Sequence, residues 1–155
     1  MTSPTDTALP VIAIGCDHGG LPLKLALTRA LRAAGHEVLD VGVNTPERVD
    51  YPDFAHAVCR LVEAGEARFG VLVCGSGVGM SIAANRHEGI RCVLASDPLT
   101  ASLSRAHNDA NVVALGSRLI GEEMGIAILN AFLSGAYEGG RHDQRLAKLA
   151  PRDLA

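Results

Sequence analysis

Short, continuously apolar runs alternate with helical stripes along this chain, and that alternation limits its fold more than any other feature. Val11-Ile-Ala-Ile-Gly-Cys16 reads as a buried strand, and the spacing of Leu23, Leu27, Leu31 and Ala34 gives the next segment one apolar helical face, closed by Gly35. Glu37–Gly42 reads as a second strand. A polar loop with Asn44, Pro46 and Pro52 follows, then a helix striped by Phe54, Val58, Leu61 and Val62. Gly70–Cys74 is a third strand, followed by a glycine-rich turn and a helix around 81–86. Arg91–Ala95 and Val112–Gly116 complete five strands, with a helix between them opened by Asp97-Pro98. Further helices are expected over 121–134 and 142–149. Strands apolar on both faces need helices on both sides, so the expected fold is α/β: a Rossmann-like three-layer α/β/α sandwich with a five-stranded parallel sheet. Residues 11–150 form one domain in this reading, with 1–10 and 151–155 as tails.

Composition excludes several kinds of function. A formal charge of −3 gives no electrostatic footprint for nucleic acid or an anionic membrane. Five aromatic residues and no Trp cannot build a stacking platform for single strands. No apolar run approaches bilayer length. Met1–Pro10 has neither a basic nor a hydrophobic leader region, so the expected location is cytoplasmic. Cys16, Cys59, Cys74 and Cys92 contain no C-x-x-C pair and no zinc-type Cys/His spacing, so no structural metal is expected.

In parallel α/β sheets, ligands bind beyond the carboxyl ends of the strands. That filter selects Cys16-Asp17-His18-Gly19-Gly20, Cys74-Gly-Ser-Gly-Val-Gly79 and Gly116-Ser-Arg118. A glycine turn entering a helix offers N–H groups and a positive dipole end to an anion. Met80 breaks each familiar phosphate motif at this turn: the Walker lysine, the third glycine of the dinucleotide fingerprint and the arginine of a cysteine-phosphatase loop. What survives is a cysteine at a helix entrance, a placement that favours thiolate and suits a base or nucleophile. On position alone, Cys74 reads equally well as the last buried residue of its strand. Asp17-His18 alone reads first as a helix cap, His107-Asn108-Asp109 as a solvated turn, and Arg141/Arg145 as a solvated face that could also clamp a phosphate. His36, His56 and His87 receive no role.

Taken in order, Gly15–His18, Asp50–Pro52, Cys74–Gly79, Ser81–Asn85, Gly89–Arg91, Ser104–Asn111, Gly116–Arg118 and Tyr137–His142 resemble the ribose-5-phosphate isomerase B and galactose-6-phosphate isomerase family. The resemblance runs from about Val11 to Leu149. It implies interconversion of aldose and ketose phosphates without metal or cofactor, on a small-molecule sugar phosphate. Ribose 5-phosphate is the expected substrate, with a hexose or tetrose phosphate (allose 6-phosphate, galactose 6-phosphate, erythrulose 4-phosphate) as the alternative. A reading of another class is a non-catalytic nucleotide-binding module.

By matching position, the resemblance makes Cys74 the base at C2 and Ser76, where the family usually has Thr, a proton carrier between O1 and O2. The N–H groups of Gly75, Ser76, Gly77, Val78 and Gly79 would hold the cis-enediolate. His107, helped by Asp17, would open the furanose ring. His18, Arg118, Arg141 and Arg145 would surround the phosphate, and Asn108 and Tyr51 would touch the sugar. Some members use a Glu a few residues after the turn in place of the cysteine; Met80 stands in that neighbourhood here. Independently of the family, a helix leaving the carboxyl edge of strand four returns His107 to the opposite edge from Cys74. The expected assembly is therefore a homodimer, or a tetramer, with active sites shared between subunits.

Overall fold

A computed structural model describes residues 8–151; of the expected tails 1–10 and 151–155, residues 1–7 and 152–155 lie outside the described residues. The strands are β1 (Ile12–Cys16), β2 (Val38–Asp40), β3 (Phe69–Cys74), β4 (Cys92–Leu94) and β5 (Val112–Gly116). The helices are α1 (Leu21–Ala33), α2 (Tyr51–Glu63), α3 (Val78–Ala84), α4 (Pro98–Asn108), α5 (Glu122–Ser134) and α6 (Asp143–Leu146). All pairings are parallel, in the order β2-β1-β3-β5-β4. The expected α/β/α sandwich is therefore the observed one.

Strand alternation distributes the core between the two faces. Ile12, Ile14 and Cys16 of β1, Phe69, Val71 and Val73 of β3, and Val113 and Leu115 of β5 pack with Leu23, Leu27, Ala101, Ile128 and Phe132 from α1, α4 and α5. On the other face, Ala13, Leu72, Cys74 and Ala114 meet Ala55, Val58, Met80 and Ala84 from α2 and α3. The side chain of Cys74 thus belongs to the α2/α3 layer, and Met80 is a fully buried core residue.

Several boundaries differ from those expected, for local reasons. Helix α3 begins at Val78, because Gly77 adopts left-handed φ 77° and starts the helix directly after the turn. The last helix is not continuous over 142–149. Gly139 and Gly140, at φ 64° and 59°, lead into a 3-10 turn over Gly140–His142, and only Asp143–Leu146 is α-helical. Arg141 and Arg145 therefore lie on successive short turns rather than on one helix. Near the amino end, the Pro10 carbonyl lies 2.8 Å from His36 Nδ1, so the chain immediately before β1 is tied to the end of α1.

A fully buried lysine fixes the loop after β2. Lys24 Nζ donates to both Asp40 carboxylate oxygens at 2.8 and 2.9 Å, and to Val43 O and Asn44 Oδ1, each at 2.8 Å. Removing one member of such a pair strands the other. Lys24→Met is expected to cost about 3 kcal/mol, the low end for a broken buried pair because Asp40 keeps some solvent contact, and to lower Tm by roughly 6–12 °C in calorimetry. An unchanged Tm would show that this loop is held by something else.

Candidate active site

The order of the strands places a topological switch between β1 and β3, since the chain moves outward in opposite directions from them. Three connections converge there. Asp17 N–H donates to Val73 O at 3.2 Å, Ser117 N–H to Cys74 O at 2.9 Å, and Arg118 N–H to Gly75 O at 2.9 Å. Ser117 Oγ adds a bond to Gly19 O at 2.6 Å. The approach is so close that a Cβ at Gly20 would collide with the Val73 carbonyl, and one at Gly116 would lie 2.6 Å from Ser76 O.

Cys74 ends β3, buried except for a small opening, and Gly77 N–H points at its Sγ from 3.1 Å. Left-handed Gly77 turns the chain so that this N–H faces back toward the sulfur, and a Cβ there would also strike Leu94 and the Leu115 backbone. Ser76 Oγ is exposed and accepts from Val78 N–H at 3.3 Å. Two of the N–H groups expected to face an oxyanion are thus directed at side chains of the turn itself. The ring of Tyr51, the first residue of α2, lies across Gly79, where an added Cβ would come within 2.5–2.9 Å of it. Arg118 extends beside Gly75, its Nε 3.3 Å from where a Cβ would stand.

Asp17 caps the short turn before α1: its Oδ1 accepts from Gly20 N–H at 3.0 Å. That is the capping role its position suggested, performed by a carboxylate that is nearly buried. His18 Nδ1 accepts from Val49 N–H at 3.3 Å, which leaves Nε2 as the donor of the neutral ring. Asp17, His18, Tyr51, Cys74–Gly79 and Arg118 therefore share one edge of the sheet.

His107, Asn108, Arg141 and Arg145 do not join them. His107 and Asn108 end α4 just before β5 begins at Val112, whereas Cys74 pairs with Gly116 at the other end of β5. The end of α4 is firmly held. Asp109 takes the left-handed cap, and buried Arg105 bonds Asp109 Oδ1 at 2.8 Å and Ala110 O at 2.6 Å. Glu138 N–H donates to Ala106 O and brings the 135–142 segment alongside. Arg141 and Arg145 are exposed, with no carboxylate in ion-pair reach among the described residues.

Two residues given no role on sequence grounds stand beside His107. The His142 ring stacks on it with centroids 4.6 Å apart and planes 16° apart, and Glu138 Oε2 lies 4.0 Å from His107 Nε2 and 3.5 Å from His142 Nε2. Their only sequence signal is membership of the Tyr137–His142 motif. A further hydrogen-bonded chain, Glu63–His87–His56, spans 2.9 and 2.7 Å between α2 and the end of α3; the His87 bond, the largest cause, holds the Glu63 carboxyl below its usual range.

The remaining thiols behave as core. Burial pushes Cys16 up to about 11 and Cys59 up to about 12, and raises Cys92 as well, so all three are protonated at neutral pH. A cavity of about 880 Å³ is lined by Asn85, His87, Arg91, Ser104, Asn108 and Leu146, among others. It touches only Asn108 of the expected site residues. The convergence of polar groups marks the Cys74 turn as the stronger candidate despite that volume.

Comparison with known proteins identifies the family to which the chain belongs. The sequence model described as Ribose/Galactose Isomerase matches residues 12–149. Ribose-5-phosphate isomerase B of Escherichia coli is 51% identical over 135 residues, which are 87% of this chain and 91% of that protein. The crystal structure of a ribose 5-phosphate isomerase from Thermotoga maritima superposes with TM-score 0.89 at 47% identity, covering 90% of this chain and 96% of that one. Ribose-5-phosphate isomerase B from Mycoplasma genitalium, solved with bound ribulose-5-phosphate, gives TM-score 0.84 at 39% identity over 88% and 91% of the two chains. A match spanning nearly every described element, at such identity, leaves one conclusion: the chain belongs to the ribose/galactose isomerase family.

Proposed function

We propose that the protein interconverts ribose 5-phosphate and ribulose 5-phosphate through a cis-enediolate, with Cys74 as the base. The observation that carries this reading is a cysteine at the mouth of a glycine turn, with the Gly77 N–H 3.1 Å from its sulfur. Such a donor suits a thiolate and gives way to a protonated thiol after transfer. Cys74 Sγ takes the C2 proton of the open-chain aldose, and the released pair forms the C1–C2 double bond while O1 takes the negative charge. Ser76 Oγ carries a proton between O1 and O2, and the proton held by sulfur returns to C1. The N–H groups of Gly75, Ser76 and Gly79 face the enediolate, where each fixed donor of this kind is worth about 3 kcal/mol. A phosphate gripped at a distance by Arg118, Arg141, Arg145 and His18 supplies binding energy that positions C2. Tyr51 and Asn108 contact the sugar.

His107 opens the furanose ring, with Asp17 assisting, and it reaches Cys74 from the partner subunit. The separation of the two residues along β5 supports this arrangement. So does the surface beside the turn. Val78 and Ile82 on α3, Leu94 on edge strand β4 and Leu103 on α4 are all exposed, Ile82 by 54%, and Leu94 abuts Gly77. A second copy docked on these residues would cover the apolar edge and bring its own His107, Asn108, Arg141 and Arg145 to the open turn.

Purified protein assayed with ribose 5-phosphate, allose 6-phosphate and galactose 6-phosphate in EDTA tests the reaction. Turnover of the pentose is expected, abolished in Cys74→Ala with a Tm loss of only a few degrees (about 1 kcal/mol). Turnover confined to a hexose phosphate would change the substrate, and silence on all three would favour nucleotide titration.

Mixing inactive Cys74→Ala with inactive His107→Asn tests the shared site. After subunit exchange, each heterodimer has one intact site, so about one quarter of wild-type activity per chain returns. No recovery despite exchange would place both residues in one chain's site. Arg141→Ala is expected to raise KM for the sugar phosphate much more than it lowers kcat; an unchanged KM would remove Arg141 from the phosphate site.

A further inference from the structure

The group around His107 contains more than a single ring-opening residue needs. His142 is buried, and its Nε2 has no hydrogen-bond partner, the Glu138 Oε2 standing 3.5 Å away. A buried polar nitrogen left this way is costly unless something else occupies its lone pair. The atoms around it are all ligands of one chemical type. His107 Nε2, His142 Nε2 and Glu138 Oε2 lie within 4.8 Å of one another. Donors about 2.0–2.2 Å from a tetrahedral zinc ion stand roughly 3.4 Å apart. The Glu138–His142 spacing already meets that value, and the Glu138–His107 spacing of 4.0 Å is close to it.

The surroundings permit the remaining adjustment. His142 is held in place by burial, while His107 and Glu138 have side chains 36% and 56% exposed; binding an ion requires the His107 ring, now stacked on His142 with planes 16° apart, to turn so that its Nε2 lone pair points at the ion. The backbone beneath them is fixed, through Glu138 N–H on Ala106 O and the Arg105–Asp109 pair at the end of α4. Two imidazoles and one carboxylate suit a borderline ion such as Zn²⁺, whereas Mg²⁺ and Ca²⁺ take oxygen ligands.

We propose that His107, Glu138 and His142 form a binding site for a divalent transition-metal ion of the zinc class, and that its occupancy withdraws His107 from the sugar. The ion takes the lone pair of Nε2 on each ring and one oxygen of Glu138. Solvent supplies the remaining position on the exposed side. Metal-bound His107 can neither donate nor accept a proton at Nε2, so the site acts as an inhibitory one. The inhibitory half rests on His107 as the ring-opening residue; the metal site stands on its geometry alone.

Titration of the full-length protein with Zn²⁺ against a chromophoric chelator, without substrate, tests the site. One Zn²⁺ per chain is expected, with at least about tenfold weaker binding in Glu138→Gln and none of comparable strength for Mg²⁺. Glu138 is exposed, so this variant should keep the wild-type Tm and its turnover in metal-free buffer. Turnover of ribose 5-phosphate by the wild type should fall over the same Zn²⁺ range, recover with EDTA, and resist Zn²⁺ in Glu138→Gln. Zn²⁺ affinity unchanged by Glu138→Gln overturns the site, and saturated protein that turns over normally overturns the inhibitory role. A protein inactive on every sugar phosphate would instead sink the functional reading, while the chelator titration still decides the metal site.

Discussion

Everything at the candidate site depends on how closely three backbone segments approach one another beyond β1, β3 and β5. Gly20 lies against the Val73 carbonyl, Gly116 against Ser76, and Gly77 against Leu115, with no room for a Cβ at any of the three. This contact brings Asp17, Cys74 and Arg118 from distant parts of the chain to one edge. Larger residues would push the connections apart and separate donors from acceptors by more than a hydrogen bond tolerates. The glycines thus position the site through what they lack, and the bonds from Asp17, Ser117 and Arg118 into the β3 end hold the approach together.

The same geometry divides the candidate site residues into two sets at opposite edges of the sheet. Cys74, its neighbouring N–H donors and Arg118 stand at the carboxyl edge of the sheet. His107, Asn108, Arg141 and Arg145 stand where α4 has returned to the amino edge. A right-handed parallel crossover always produces this result, because each helix carries the chain back to where the next strand begins. Exposed Val78 and Leu94 lie beside the first set, Val78 opening α3 directly after the turn and Leu94 against Gly77.

Much of this was legible in the amino-acid order. Val11–Cys16 and Gly70–Cys74 are apolar on both faces, and they hold the interior strands Ile12–Cys16 and Phe69–Cys74, buried throughout. The carboxyl-end filter follows from the alternation alone, so the Cys74 turn was one of three loops selected before any family was considered, whereas the switch point needed the strand order. Shorter elements were less visible. Leu94 is apolar yet exposed, which hides the edge position of β4, and the start of α3 is masked by glycines whose helical role depends on the left-handed Gly77. The 142–149 stretch has helical periodicity, but Gly139 and Gly140 divide it into tight turns. Glu138 and His142 were invisible as partners of His107, since nothing in their spacing says that a chain reversal after α5 will lay one ring on another.

Lys24 has a consequence for how the protein can be observed. An amine whose donors are all satisfied by Asp40, Val43 and Asn44, and which has no exposed surface, is closed to acylating reagents while the β2 loop stays in place. It becomes nucleophilic only in the fraction of time that the loop detaches. The rate of labelling at this one lysine, followed by mass spectrometry, would therefore act as a clock for local opening beside the segment that carries Val49 toward His18.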